Sequence, residues 1–185
     1  FPGRTHAQKQ ELARAITEFA AGLGGGSSPS AIGAGADGNM WFTEEFANRI
    51  ERITPAGIIT EFSTGAGANS ALEDIAAGPD GNMWVTDFNG DLIGQITPAG
   101  TVTDFSTEAA SSSPNYIAAG RDGNLWFTES LGARIARITP GGAITEFTLG
   151  VLSTPNSITV GPDGNLWFTA PALHARAEPA SDMRP

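Results

Sequence analysis

The chain has no cysteine. Disulfide staples, a thiol nucleophile and cysteine-ligated metal are therefore excluded. The absence leaves the compartment open, because a chain without thiols fits an oxidising or a reducing environment, secreted or cytoplasmic. Cations are almost as scarce. There is one lysine, Lys9, and between Ile16 and Thr169 only 5 arginines stand against 17 acids, a net of −12. A body so acidic is a poor binder of phosphate backbones, so nucleic acid is not an expected partner. No run of about 18 apolar residues occurs, so no membrane-spanning helix is expected. The first residues carry no basic-then-apolar leader pattern. Histidine is nearly absent: His6 and His174 are the two in the chain.

What the sequence does have is a repeat. The signature Asp-Gly-Asn-(Met/Leu)-Trp-(Phe/Val)-Thr occurs four times, at Asp37–Thr43, Asp80–Thr86, Asp122–Thr128 and Asp163–Thr169, with successive spacings of 43, 42 and 41 residues. It contains every tryptophan of the protein. A period of about 40–45 residues built from short strands is the mark of a β-propeller blade.

The clearest unit is Ile75–Ser106. Ile75–Gly78 reads as an inner strand. Asp80-Gly81 is a tight turn that tolerates positive φ. Met83–Asp87 is a second strand, rich in aromatic and β-branched residues. Leu92–Thr97 is the third, Pro98–Gly100 a second tight turn, and Thr101–Phe105 the outer strand. Ile53–Gly57 and Ile138–Gly142 supply the matching turns of the neighbouring units. Ile59–Phe62 and Ile144–Phe147 supply their outer strands. The fold class is therefore all-β: a propeller of four-stranded antiparallel blades, with about three and a half to four blades present.

Three segments follow from the repeat boundaries. Residues 1–15 form an N-terminal extension, in which Thr5 and Gln8 fit a capping box and Thr5–Arg14 a helix. Residues 16–169 are the propeller repeats. Residues 170–185, rich in Ala and Pro, read as a disordered tail. Ile16–Phe19 has two readings. It extends the helical face of Leu12, and it also repeats the outer-strand tetrapeptide Ile-Thr-Glu-Phe. The strand is preferred because the tetrapeptide recurs in register. Joined to the inner strands near the C-terminus, it would complete a fourth blade. The other outcomes are an open arc belonging to a longer propeller and closure by self-association.

Gly161–Thr169 (Gly-Pro-Asp-Gly-Asn-Leu-Trp-Phe-Thr) together with Arg52–Gly57 (Arg-Ile-Thr-Pro-Ala-Gly) resembles the virginiamycin B lyase (streptogramin lyase) family over Ile16–Thr169. The resemblance implies a β-propeller, seven-bladed in the characterised lyases. It implies opening of a cyclic depsipeptide antibiotic by elimination of an ester C–O bond, and so antibiotic resistance. It also implies a divalent metal, Mg²⁺, with a histidine base and acidic residues near the metal.

Strand direction says where such groups would lie. The residue two before each inner-strand isoleucine gives an upstream slot: Ser30, Glu73, Asn115 and Asn156. The residue after Trp-(Phe/Val)-Thr gives a downstream slot: Glu44, Asp87, Glu129 and Ala170. Both sets should share one rim, opposite the Asp-Gly-Asn turns. Glu44, Asp87 and Glu129, with Glu73, are the expected metal or ligand rim, since oxygen ligands suit Mg²⁺. Neither histidine occupies a slot, which leaves Glu73 as the candidate base if burial raises its pKa. The tryptophans and the outer-strand phenylalanines are expected in the packing between blades, and the arginine pairs Arg49/Arg52 and Arg134/Arg137 facing solvent. The functions expected are a non-catalytic binding or scaffold propeller for a small molecule or peptide, a fragment of a larger propeller, or alternatively a Mg²⁺-dependent C–O lyase.

Overall fold

The computed structural model describes residues 17–19, 22–23, 26, 28–65, 67, 70–107, 111–149, 153–170 and 173–177. All its regular structure is β. Blade one is β1 (Pro29–Ala34), β2 (Met40–Glu44), β3 (Arg49–Ile53) and β4 (Ile59–Ser63). Blade two is β5 (Leu72–Ala77), β6 (Met83–Asp87), β7 (Leu92–Ile96) and β8 (Val102–Ser106). Blade three is β9 (Pro114–Ala119), β10 (Leu125–Glu129), β11 (Arg134–Ile138) and β12 (Ile144–Thr148). Blade four has β13 (Ile158–Val160), β14 (Leu166–Ala170) and β15 (Leu173–Ala177). Each sheet is an antiparallel meander in chain order. The inner strands β1, β5, β9 and β13 follow one another side by side.

The four-fold signature is a local device for holding the tryptophan. Asp80 Oδ1 accepts hydrogen bonds from the Asn82 amide and from Trp84 Nε1, each at 3.2 Å, while Oδ2 accepts from Asn82 Nδ2 at 2.9 Å. Gly81, at φ 80°, makes the turn that brings these groups together. The same three bonds recur around Asp37, Asp122 and Asp163. Burial of Asp80 opposes its ionisation, but the bonds from Trp84, Asn82 and Gln95 outweigh it and hold the carboxyl below the usual carboxylate range.

The anchored rings are the core. Trp41, Trp84 and Trp126 are buried, and each stacks on the outer-strand phenylalanine of its own blade, Phe62, Phe105 and Phe147, at 5.3–5.6 Å between centroids. Each then packs against the aliphatic face of the next blade. Trp41 meets Leu72, Ile75 and Met83, Trp84 meets Ile117, Leu125 and Phe127, and Trp126 meets Ile158, Leu166 and Phe168. Losing a buried ring of this size costs about 3–5 kcal/mol. Glycine in the Pro-x-Gly turns completes the joint. A Cβ on Gly100 (φ 88°) would collide with Phe62, and one on Gly142 (φ 87°) with Phe105.

The ends differ from the sequence reading. Thr17–Phe19 form no strand, yet Phe19 lies against Gly57 as Phe62 lies against Gly100. Phe19 thus takes the position of an outer-strand phenylalanine with no strand around it. Ile16 and residues 1–15, with the expected helix, lie outside the described residues. In the segment read as a tail, Ala170 belongs to β14, and β15 pairs with β14 so that Arg176 stands opposite Trp167. Arg52 and Arg137 stand in the same register opposite Trp41 and Trp126.

Candidate functional site

Alternation along the second strand of each blade decides where the downstream acids lie. In β10 the odd-numbered residues Leu125, Phe127 and Glu129 share a face, and Leu125 and Phe127 pack against Trp84 of the preceding blade. Glu129 is therefore an interior group between blades. Asp87 shares its face with Met83 and Val85, which pack against Trp41 and Ile50. Glu44 shares the equivalent face of blade one with Phe42. All three acids are buried.

Each is engaged close to home. Glu44 Oε2 accepts from Arg49 at 2.8 Å, and Arg49 also pairs with Glu61 at 3.1 Å. Asp87 accepts from Ser70 Oγ at 2.7 Å and from the amides of Ala71 and Gly90, each at 2.9 Å, so it ties two loops together. Glu129 accepts from Arg134, which pairs with Glu146 at 3.1 Å. Burial raises the Glu129 pKa even with that guanidinium beside it. Arg49 and Arg134 thus neutralise interior acids, and Arg52 and Arg137 lie over Trp41 and Trp126 at 5.4 and 5.8 Å. None of the four is the solvent-facing side chain expected from the sequence.

This donor set does not fit a magnesium ion. The rim acids are separated by whole blades and engaged by arginine, serine and backbone amides. Among the described residues no three His, Cys, Asp or Glu side chains converge in an arrangement that would hold a metal.

The upstream slots of neighbouring blades meet in two pairs. Ser30 Oγ donates to the Glu73 carbonyl at 3.3 Å. Asn115 Nδ2 donates to Asn156 Oδ1 at 3.3 Å and to Ser130 Oγ at 3.2 Å, and Ser130 Oγ donates to the Pro155 carbonyl at 2.8 Å. The slots form an arc of hydroxyl, carboxyl and amide groups from blade one to blade four. Burial, then the charges of Glu45 and Asp74, raise the Glu73 pKa.

Two features of this rim escape sequence reading. Asp74, in the first position after the slot, is a bridge between blades: its Oδ1 accepts from the Ile75 amide and its Oδ2 from the Ile117 amide of blade three, both at 2.9 Å. Burial raises its pKa. The available signal was an acid where the other repeats have Ala31, Tyr116 and Ser157. Large apolar side chains also stand exposed on this side: Phe46 and Leu131 in the turns after the second strands, and Tyr116 beside the slots. Phe46 and Leu131 sit in loops whose composition reads only as a turn.

The Virginiamycin B lyase family model matches residues 11–177. A selenomethionine-substituted virginiamycin B lyase from Staphylococcus aureus superposes with a TM-score of 0.79 at 38% identity, over 83% of this chain and 52% of that one. A catalytically inactive histidine-to-alanine form of the Staphylococcus aureus lyase, with quinupristin, gives 0.76 at 40% identity over 79% and 50%. A streptogramin B lyase gives 0.72 at 27% identity over 86% and 66%. The chain thus spans about half the length of the two staphylococcal lyases. No curated protein matches it in sequence. With four signatures, their blades and a family model matched from end to end of the repeats, the chain belongs to the virginiamycin B lyase family.

Proposed function

We propose that this chain is a non-catalytic binding arc of the virginiamycin B lyase family, whose rim holds a small polar or peptide ligand. The observation that carries the reading is the chemistry of the slots. Ser30, Asn115 and Asn156 offer neutral donors and acceptors suited to amide groups, and none is a base. Exposed Phe46, Leu131 and Tyr116 add apolar surface beside them, the mixture that binding surfaces for small ligands use. The staphylococcal relative solved with quinupristin is catalytically inactive through loss of one histidine. No described slot of this chain holds that residue type.

A second reading, elimination of the ester C–O bond of a cyclic depsipeptide, has Glu73 as the group that takes the proton next to a carbonyl. It is favoured by the raised pKa of Glu73, the direction a base working near neutral pH requires.

Incubation with quinupristin separates the two. Elimination conserves mass, so the readout is chromatography with fragment-ion spectra. The expected result is recovery of the intact cyclic compound, with amide resonances of Ser30, Asn115 and Asn156 shifting on titration. Ring opening that is lost in Glu73→Gln would overturn the binding reading in favour of the lyase. Absence of both ring opening and rim shifts would remove this ligand class.

A further inference from the structure

Tyr116 is held by the backbone on both of its sides. The peptide unit before it is gripped from two blades. The Thr86 hydroxyl of β6 donates to the Asn115 carbonyl at 2.6 Å, and the Tyr116 amide donates to Thr128 Oγ1 of β10 at 3.1 Å. The peptide unit after it is gripped by Asp74 of β5, whose Oδ2 accepts from the Ile117 amide at 2.9 Å. Peptide units are planar, so fixing the two that flank a Cα fixes its φ and ψ, and with them the direction in which its side chain leaves the backbone.

Asp74 is itself fixed. Its amide donates to Thr86 Oγ1 at 3.1 Å, the same oxygen that reaches Asn115, and its Oδ1 accepts from the Ile75 amide at 2.9 Å. The carboxylate thus gives one oxygen to its own strand and one to the next blade. Ala31 and Tyr116 hold the equivalent places in blades one and three, and neither side chain has two oxygens to share. The segment held in this way carries two rim groups. Tyr116 stays 38% exposed beside the slots. The Asn115 amide reaches Ser130 Oγ at 3.2 Å and Asn156 Oδ1 of blade four at 3.3 Å.

We infer that Asp74 is a positioning residue of the rim: by fixing the backbone of Asn115–Ile117 across the junction of blades two and three, it presets the Tyr116 ring and the Asn115 amide for a ligand without touching the ligand itself. The inference rests on the reading of the rim as a ligand-binding surface. Its physical content is preorganisation, since a ring and an amide whose backbone is fixed beforehand lose little freedom when a ligand arrives.

The chain has a single tyrosine, so 3-fluorotyrosine labels Tyr116 alone and one fluorine resonance reads its ring. The probe ligand is quinupristin. Asp74→Asn keeps the side-chain shape but leaves one oxygen for two amides. In the free variant the fluorine line and the Asn115 side-chain amide resonances should move, and the Ile117 amide should exchange faster with solvent. The side-chain amides of Asn39 and Asn82, in the turns at the far ends of the inner strands, should stay where they are. Quinupristin should bind the variant about tenfold more weakly. Thr86→Val releases the other grip at nearly constant volume and should move the same fluorine line, which keeps the test open where one variant does not fold. A fluorine line and Asn115 amides that stay in place in the folded variants would overturn the positioning role, whatever happens to binding. A moved line with quinupristin affinity unchanged would overturn it as well, because the ring would then not be preset for this ligand. If the variants move the line and quinupristin does not bind the unaltered chain, the clamp stands and the ligand reading of the rim falls.

Discussion

Glu51 shows how much one side chain can depart from its repeat. It lies in β3 between Phe42 of β2 and Glu61 of β4. Blade two has Gly94 at this position and blade three Ala136. Glu51 is fully buried, and neither carboxyl oxygen has a hydrogen-bond partner. Burial, then the charges of Glu44 and Glu61, push its pKa up to about 7 from an ordinary 4.5, with Arg49 opposing. One guanidinium faces three carboxyls here, and Glu51 is the one that keeps its proton up to about pH 7. The folded chain therefore holds a proton that the unfolded chain releases. This contribution to stability is present in full below the ordinary glutamate range, declines as pH rises from about 4.5, and is gone above about 7. Glu51→Gln keeps the shape without the charge. In thermal unfolding from pH 4 to 8 it should remove that part of the decline and leave the variant the more stable form at pH 8. An unchanged pH profile would mean that Glu51 finds a partner. A sequence shows the glutamate and the repeat, but which face it takes depends on the strand register, and on that register the burial of Glu44, Asp87 and Glu129 depends as well.

At the level of the strand, the structure follows the sequence closely where chemistry is local. The hairpins at Asp-Gly and Pro-x-Gly, the aromatic second strand and the outer Ile-Thr-x-Phe strand were all legible, since each is set by turn residues and alternation within about ten positions. The signature threonine was not read for its role. β1, β5 and β9 have an irregular register near their starts, and β13 begins one residue after the equivalent position. There the second-strand hydroxyl accepts the backbone amide the ladder leaves out: Thr43 from Ala31, Thr86 from Asp74, Thr128 from Tyr116 and Thr169 from Ser157, at 3.1–3.2 Å. Thr128→Val keeps the volume and removes the acceptor, leaving a part-buried amide unsatisfied. It should cost about 1–3 kcal/mol and speed hydrogen exchange of the Tyr116 amide ahead of others in β9. Equal exchange in both proteins would show that water replaces the hydroxyl. β15 was missed for a different reason. Leu173-His-Ala-Arg-Ala177 has little β propensity, and it becomes a strand because β14 presents an edge to pair with. The arginine opposite a tryptophan was the trace it left in the sequence.

Across the molecule, the repeat spacing gave the propeller and the chemistry of the rim did not follow from it. Spacing counts residues around the axis, while the downstream acids lie buried on the strand faces that pack between blades. Three acids that look like a ring in the sequence are instead three separate interior contacts, each closed by its own blade. Mutual repulsion across a channel is then absent, and with it the reason for a divalent cation to stabilise the fold. A cation bound only by the native state and present at 100 times its dissociation constant adds about 2.7 kcal/mol, which in a domain of this size is several degrees of melting temperature. With a formal net charge of −10, general screening alone will raise the melting temperature somewhat, so the comparison belongs at fixed ionic strength. Under that condition millimolar Mg²⁺ or Ca²⁺ should move the melting temperature no further than sodium chloride does, and a chelator should not lower it. A cation-specific rise of several degrees that disappears in Glu129→Gln would show that the interior contact at Arg134 opens, and that the acids do converge on an ion.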